Sequence, residues 1–470
     1  MKRVPFVLGA WLAVCGAACG GDDGPAMPDA GPTDLVGKLE ALDGVSVQET
    51  PTSTAGYTFY VLRFTQPVDH EDPDGPSFEQ RVSLLHKDEA APMVALTSGY
   101  WDYYVDNTYE LTRLLRANQI SIEHRFFGES RPEPADWTKL TIRQMADDEH
   151  RIITELRKVY PGAFLTTGGS KGGMTAVYHR RFYPGDVDGT VPYVAPISFG
   201  APDPRYPAFL DSIGTASCRN ALRAAATEML QNRRAAMLSR AQSQASSGGH
   251  AYTRIQIGAA VEGSIASLEW AFWQYFGAPF CGQVPAPTAT DDGLWDFLDR
   301  VAPVTDSDDD QIAAFEAYYY QAYAQLGYPD AGAAYLDPYL MYSDADYETA
   351  LPTPVPAYDA AAAMRDIDTW VKTEGTRLLF VYGEWDPWTG GPFELGAATD
   401  SLLVVQPQGS HGARMSRLAA ADRDAAFAKL AAWSGVTPML PPQPRTAEAP
   451  REPREPRVPP VMVRALRARR

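Results

Sequence analysis

Cysteine and histidine are scarce in this 470-residue sequence, which has four cysteines and seven histidines. It contains no CxxC pair and no Cys/His cluster, which excludes a cysteine-built zinc site and thiol redox chemistry. Past residue 20, no run approaches the ~20 apolar residues of a membrane-spanning helix, which excludes a polytopic membrane protein. Basic residues are outnumbered, 41 against 59 acidic residues, and the net charge of −18 argues against nucleic-acid binding.

The composition is that of a folded globular chain. Hydrophobic residues make up 45% of the sequence, charged residues 21% and aromatic residues 11%. The length is about three times that of a typical domain of ~150 residues, but α/β enzymes with an inserted cap often exceed that length. We therefore expect a large core and aromatic-lined pockets, with no metal and no cofactor.

The N-terminus predicts export. Lys2 and Arg3 precede an apolar stretch that ends in small residues, which is the pattern of a signal peptide over 1–18. The sequence Gly16-Ala17-Ala18-Cys19 resembles a bacterial lipoprotein signal, in which the cysteine is diacylated and becomes the new N-terminus. Cys15 is a competing lipidation site, but Val14 is bulkier than the small residue expected before the cysteine. An ordinary cleaved secretory peptide remains the alternative.

Two further segments are expected to lie outside the fold. Residues 19–35 are rich in Gly, Asp and Pro and predict a flexible tether. Residues 441–470 are rich in Pro and Arg and predict a disordered or polyproline-like tail. The membrane is expected to be contacted only through the N-terminal lipid.

The remaining cysteines agree with export. If Cys15 leaves with the signal and Cys19 carries lipid, Cys218 and Cys281 remain. An even pair in an exported chain predicts one disulfide.

Alternating apolar runs and helical patterns predict an α/β fold. We expect a mostly parallel sheet with helices on both faces, formed by 36–204 and 356–438, with a helical cap inserted over 205–355. Strands are predicted at 57–65, 80–86, 93–97, 120–123, 163–167, 190–197, 378–382 and 402–405, and helices at 141–160, 173–182 and 419–433.

The segment Gly168-Gly169-Ser170-Lys171-Gly172 lies between a predicted strand and a predicted helix. It fits G-x-S-x-G, the tight turn that lifts a nucleophilic serine above the edge of a sheet. The glycines two before and two after the serine are needed because a Cβ there would clash within the turn.

An acid and a histidine follow in the chain order that this type of hydrolase requires. Asp386 follows the strand at 378–382, and His411 follows the next one. Glu384 competes for the role of the acid, but the Asp386-Pro387 turn favours Asp386.

The roles of these residues follow from the chemistry of a serine hydrolase. Ser170 attacks a carbonyl carbon, His411 carries its proton to the leaving group, and Asp386 orients the histidine. The backbone N–H of Lys171 and one from Gly99 or Tyr100 are expected to bind the oxyanion. The Lys171 side chain is either a surface charge or a part of the site.

Three further motifs carry a family resemblance. They are Gln66-Pro67-Val68-Asp69-His70, Phe78-Glu79-Gln80-Arg81 and the run from Glu123 to Ser130, EHRFFGES. Together with the nucleophile segment GGSKGGM, they resemble the bacterial prolyl tri/tetrapeptidyl aminopeptidases, which are related to prolyl carboxypeptidase and the lysosomal dipeptidyl peptidase.

This resemblance covers about 55–435 and implies an α/β-hydrolase core with a helical cap over the site. It also implies release of short peptides by cleavage after proline, near a free peptide N-terminus. The residues alone indicate only a Ser-His-Asp acyl hydrolase. The lipidated cysteine and the Arg/Pro tail depart from the family pattern and bear on location.

Substrate recognition would require an apolar slot for proline and a carboxylate for the substrate amine. Tryptophans on active-site loops are candidates for the slot: Trp101, Trp385 and Trp388. The candidate carboxylates are Glu123, Glu129 and Glu269, although Glu123 could instead pair with Arg125. The alternatives to an exopeptidase are an esterase on the same triad and an inactive peptide-binding lipoprotein.

Overall fold

The computed structural model describes residues 34–103, 106–350, 358–359 and 362–440. The predicted signal peptide, Cys15, Cys19 and the tail at 441–470 lie outside the described residues. So does the tether, except for Asp34 and Leu35, which begin the first helix.

One sheet of nine strands organises the described part of the chain. The strands are β1 (Val45–Thr50), β2 (Thr58–Pro67), β3 (Ser77–His86), β4 (Met93–Thr97), β5 (Asn118–Ile122), β6 (Phe164–Gly169), β7 (Gly189–Tyr193), β8 (Leu379–Gly383) and β9 (Leu402–Gln406). Their order across the sheet is β1-β2-β3-β5-β4-β6-β7-β8-β9. The pairings from β1 through β3 to β5 are antiparallel, and all pairings from β5 to β9 are parallel.

The thirteen α-helices of the described residues surround this sheet. They are α1 (Leu35–Glu40), α2 (Glu110–Leu115), α3 (Ile142–Leu156), α4 (Lys171–Phe182), α5 (Arg205–Leu210), α6 (Ala216–Gln231), α7 (Arg234–Gly248), α8 (Ile257–Ala266), α9 (Leu268–Tyr275), α10 (Asp291–Val301), α11 (Asp309–Gln321), α12 (Met364–Thr373) and α13 (Ala420–Ser434).

Both faces of the central strands are buried, because helices cover each side of the sheet. All five residues of β4 are buried, and successive side chains of a strand point to opposite faces. Val94 and Leu96 pack in the cluster that holds Leu111 of α2 and Leu430 of α13. Met93 of the same strand packs in the cluster with α3 on the opposite face. Continuous apolar strands between two helical layers confirm the predicted α/β-hydrolase fold.

The predicted elements differ from the observed ones mainly at their ends. The strand predicted at 190–197 ends at Tyr193, because Val194 adopts a positive φ of 44°, which no extended strand tolerates. The helix predicted at 141–160 ends at Leu156, where the chain tightens into a turn: the N–H groups of Lys158 and Val159 donate to carbonyls three residues earlier. Strand β1 and helix α1 were not predicted.

The predicted cap segment, 205–355, lies between β7 and β8. Its described residues form α5 to α11 together with short 3-10 turns and one π-helical turn. Aromatic side chains join it to the core: Phe315 of α11 packs edge-on to Tyr100, and Trp270 of α9 packs edge-on to Trp388. The cap therefore lies over the carboxyl ends of the parallel strands. In the described part of the chain, no helix combines the length and apolarity needed to cross a bilayer.

Candidate active site

Ser170 occupies a strained turn between β6 and α4. Its backbone has φ 52° and ψ −123°, a conformation that non-glycine residues rarely adopt. The neighbouring backbone holds it there, because the Ser170 N–H donates to the Tyr193 carbonyl at 2.9 Å and the Ser170 carbonyl accepts from Met174 N–H at 3.0 Å. The turn places the half-buried serine at the carboxyl edge of the sheet.

The glycines of this turn allow it to pack directly on the end of β4. A Cβ on Gly168 would lie 2.6 Å from the Thr97 carbonyl oxygen. A Cβ on Gly172 would meet the same oxygen. Backbone atoms cannot move aside as a flexible side chain does, so both positions require glycine. The G-x-S-x-G spacing thus has the steric basis expected from the sequence.

Asp386 and His411 form a buried pair on adjacent loops. His411 Nδ1 lies 2.6 Å from Asp386 Oδ2, and Asp386 is fully buried. The second carboxylate oxygen, Oδ1, accepts the Trp388 N–H at 3.2 Å within the turn that Pro387 begins. The loops touch through backbone, since a Cβ on Gly383 would lie 2.6 Å from the Gly409 carbonyl oxygen.

Glu384, the competing acid, has a different role. Its side chain is exposed, and Oε2 accepts the Gln408 N–H at 2.7 Å. It therefore stabilises the turn before His411, while Asp386 contacts the histidine itself.

The three residues meet at one edge because each follows the carboxyl end of a parallel strand. Ser170 follows β6, Asp386 follows β8 and His411 follows β9. Since His411 bonds Asp386 through Nδ1, proton exchange with a serine hydroxyl falls to Nε2. The Asp386–His411 contact is the one that the predicted roles of these residues require.

The expected oxyanion donors lie beside the serine. Lys171 is the first residue of α4, so its N–H has no acceptor within the helix and lies at the positive end of the helix dipole. Gly99 has φ +73°, and a Cβ there would lie 2.6 Å from Gly172 N, so the loop after β4 packs directly on the turn. The Tyr100 N–H contacts Ser98 Oγ at 3.3 Å, a long hydrogen bond.

The Lys171 side chain is not a surface charge. The residue is 3% exposed, and its ammonium donates to the Gly99 carbonyl oxygen, lying 5.3 Å from the Tyr100 ring centre and 5.1 Å from that of Phe127. Burial holds the pKa of Lys171 well below its usual range. Its side chain thus joins the nucleophile turn to the loop after β4, which excludes the first of the two interpretations that the sequence left open, a surface charge.

The three tryptophans predicted on active-site loops all pack against the cap. Trp388 lies 5.3 Å from Trp270 and 6.2 Å from the His411 ring, measured between centroids. Trp385 lies 6.0 Å from Trp273 of α9. Trp101 lies 5.2 Å from Phe315 of α11. Each tryptophan is therefore part of the boundary between core and cap, and Trp388 also lies beside the His411 ring.

Glu123 is a structural carboxylate. It accepts hydrogen bonds from the N–H groups of Asp102, Glu129 and Ser130 and from the Ser130 hydroxyl, at 2.8 to 3.0 Å. Burial raises its pKa. Three of these donors bond Oε1 and the fourth bonds Oε2, so both carboxylate oxygens are already occupied by neighbouring backbone and Ser130.

Arg125 does not pair with Glu123 as considered from the sequence. Its guanidinium binds the buried Asp148 at 2.7 Å through two nitrogens, and His70 Nε2 contacts the same carboxylate at 2.7 Å. The motif residues around 66–70 and 123–130 therefore hold the first strands against α3. Glu129 is exposed and pairs with Arg63 at 2.5 Å.

Glu269 lies in the cap, in α9. This helix also contacts the triad, because the Gln274 carbonyl oxygen accepts the His411 N–H at 3.0 Å. Sequence reasoning missed Gln274 and Trp270, which reach the active site. The aromatic run LEWAFWQY marked a buried helix, but nothing in it indicated which loop it would cover.

A disulfide joins Cys218 of α6 to Cys281, in the turn just after α9, across a sequence separation of 63 residues. It ties α6 to the segment that follows α9. Among the described residues, no group of three or more His, Cys, Asp or Glu side chains is arranged to hold a metal ion.

Comparison with known proteins identifies the family of the chain. The PS-10 peptidase S37 family matches residues 28–454. The chain belongs to the peptidase S37 family. This S37 peptidase is 40% identical over 412 residues to the prolyl tri/tetrapeptidyl aminopeptidase of Streptomyces mobaraensis. The matched region covers 86% of each chain. It is 32% identical over 173 residues to the lysosomal Pro-X carboxypeptidase of Mus musculus, across 33% of this chain and 35% of that one.

A solved proline iminopeptidase from Mycobacterium smegmatis matches with a TM-score of 0.32 and 14% identity, over 78% of this chain and 91% of that chain. The S37 peptidase is a serine peptidase of the α/β-hydrolase fold, and the predicted family resemblance is confirmed.

Proposed function

We propose that this S37 peptidase releases tri- and tetrapeptides from the N-termini of peptides by cleaving after proline. The observation that carries the proposal is the 40% identity to a prolyl tri/tetrapeptidyl aminopeptidase across 86% of both chains. Identity of that extent includes the core and the cap, so it covers the parts that would bind substrate as well as the triad.

The reaction follows from the placement of Ser170 and the Asp386–His411 pair. Ser170 Oγ attacks the proline carbonyl carbon, and His411 Nε2 takes the hydroxyl proton while Asp386 stabilises the imidazolium. The oxyanion accepts hydrogen bonds from the Lys171 N–H and from the loop at Gly99. When the C–N bond breaks, His411 donates its proton to the leaving amine. Water then attacks the acyl-enzyme, assisted by the same histidine, and releases the short peptide with a free carboxylate.

The aromatic boundary supports a preference for proline. The Trp388 ring lies between the His411 ring and Trp270, at 6.2 and 5.3 Å. Flat aromatic faces form close-fitting walls for a pyrrolidine ring, which presents no N–H to satisfy. The cap over these rings favours short peptides over folded proteins.

Hydrolysis of Ala-Ala-Pro-p-nitroanilide tests the proposal. The purified chain should cleave this substrate, its N-acetylated form should be cleaved poorly, and Ser170→Ala should abolish both activities. Equal cleavage of both substrates would indicate an endopeptidase and refute the exopeptidase assignment.

Two other outcomes correspond to the alternative functions. Turnover of p-nitrophenyl acetate through Ser170, with no cleavage of either peptide, would favour an esterase. Absence of all turnover and of fluorophosphonate labelling would favour an inactive peptide-binding protein.

We also propose that the peptidase is exported and anchored through a lipid on Cys19. The disulfide between Cys218 and Cys281 supports export, since such bonds persist in oxidising compartments. Mass spectrometry of the mature N-terminus tests this proposal. A diacylated Cys19 is expected, and an unmodified N-terminus elsewhere would contradict the anchor.

A further inference from the structure

We propose that Glu269 is the carboxylate that binds the α-ammonium group of the peptide substrate. This inference rests on the proposed aminopeptidase function and assigns the residue that makes the enzyme require a free N-terminus.

Two faces of helix α9 contact the catalytic loops. Through Gln274 it accepts the His411 N–H, and through Trp270 it packs on Trp388. Trp273, one turn beyond Glu269, packs on Trp385, the residue before the catalytic acid. Glu269 is therefore within one helical turn of side chains that contact the triad loops.

Aromatic side chains lead from the triad loops toward the start of α9. The ring centroids of His411 and Trp388 lie 6.2 Å apart, and those of Trp388 and Trp270 lie 5.3 Å apart. Trp270 is the residue that follows Glu269 in the chain. An extended tripeptide spans about 10 Å, at roughly 3.3 to 3.6 Å a residue. A tripeptide bound at the nucleophile is therefore long enough to extend along these rings toward α9, which carries Glu269.

Glu269 is buried with one oxygen unused. The residue is 3% exposed, and Oε2 accepts from Arg223 Nε at 2.7 Å. Oε1 is buried and accepts no hydrogen bond from any described residue. A buried carboxylate oxygen without a donor is costly, and an ammonium group brings three donors.

The surrounding charges also favour a cation. The Arg223 guanidinium pairs with Glu269 and also with the exposed Asp211, which it binds at 2.6 Å. Two carboxylates therefore share one cation. Arg219, the other cation near Glu269, donates to the carbonyls of Ile213 and Gly214. Burial, the largest influence, raises the pKa of Glu269. An arriving ammonium would favour the ionised carboxylate.

The other two candidates do not have this capacity. Four donors already surround Glu123, and Glu129 is exposed and paired with Arg63. Of the three carboxylates considered from the sequence, Glu269 alone combines a position in the cap with an unfilled, buried oxygen.

Kinetics of Glu269→Gln test the inference. Glutamine keeps an oxygen for Arg223 but removes the charge. We expect kcat/KM for Ala-Ala-Pro-p-nitroanilide to fall on the order of 30-fold, mainly through KM, as for a buried charge pair that loses one partner. Cleavage of the N-acetylated substrate should change much less. Glu269→Asp, which keeps the charge, should recover part of the preference for the free amine.

Glu316→Gln is the matched control. Glu316 also pairs with an arginine in the cap, Arg254, at 2.9 Å, and its substitution should leave the amine preference unchanged. Labelling of Ser170 by a fluorophosphonate checks that each variant is folded and has a competent nucleophile.

The outcomes separate the two proposals. If the wild-type enzyme cleaves free and acetylated substrates equally, the proposed aminopeptidase function fails. If it prefers the free amine and Glu269→Gln, still labelled by the probe, keeps that preference, the assignment of Glu269 is wrong. If Glu269→Gln does not label, the KM of Glu269→Asp decides: its shorter carboxylate should raise KM for the free-amine substrate, and a KM equal to that of the wild-type enzyme would overturn the assignment.

Discussion

Replacing Asp386 by Asn should invert the hydrogen bonding of the catalytic histidine. Asp386 Oδ2 lies 2.6 Å from His411 Nδ1, and Oδ1 accepts the Trp388 N–H at 3.2 Å. In Asn, only one of these two positions is an oxygen. The backbone N–H of Trp388 requires an acceptor, so the amide oxygen should turn to Trp388 and the NH₂ group to His411. The ring then carries its proton on Nε2, where it cannot accept one from Ser170.

The expected loss is large because the pair is buried and no nearby group replaces it. Asp386 is fully buried, and the bond to His411 is short and charge-assisted. Loss of the correct tautomer in such a triad lowers kcat by about 10³- to 10⁴-fold. That factor corresponds to about 4 to 5.5 kcal/mol of activation free energy.

Glu384→Gln is the matched comparison, because Glu384 was the competing acid in the sequence. Its side chain is exposed and a glutamine oxygen still accepts the Gln408 N–H, so kcat should change less than about twofold. The assay is kcat on Ala-Ala-Pro-p-nitroanilide for both variants, with thermal unfolding as the check on structure. Retention of more than about a tenth of kcat by Asp386→Asn, or an equal loss in Glu384→Gln, would refute the assignment.

Two further predictions concern stability. Replacing Cys218 and Cys281 by Ser releases a loop that spans a sequence separation of 63 residues. The free energy of unfolding, measured by urea denaturation, should fall by about 4 kcal/mol. A denaturation midpoint equal to that of the oxidised wild-type protein would contradict this prediction. Burial raises the pKa of Glu149 well above its usual range, so folding favours the protonated form and stability should decline as pH rises above the unfolded value of about 4.3. Glu149→Gln should remove that decline, and its stability relative to the wild-type protein should grow from pH 4 to pH 7; the opposite trend would mean that Glu149 is ionised beside Lys171.

Much of the site could be predicted because its signals are local. The glycines around Ser170 are required by a backbone clash within a few residues, and a G-x-S-x-G segment between a strand and a helix carries that information. The order of Ser170, Asp386 and His411 follows from which strands precede them. The family motifs indicated the fold, and their side chains hold the first strands against α3.

Contacts between distant segments could not be predicted in the same way. Lys171 was open to interpretation as a surface charge, but the loop after β4 and the aromatic rings of Tyr100 and Phe127 enclose it. Glu123 was a candidate for binding substrate, yet it accepts hydrogen bonds from a turn six and seven residues later and from Asp102. Whether a polar side chain is free depends on donors that come from elsewhere in the chain.

The class of the protein, its strand and helix alternation, and the serine and histidine of the predicted triad follow from the sequence alone, because periodicity and turn chemistry act over short distances. Only the tertiary structure decided which carboxylate orients the histidine, where the Lys171 ammonium lies and which cap helix covers the active site. Those choices depend on burial and on hydrogen bonds between residues tens to hundreds of positions apart, and chain order does not encode them locally.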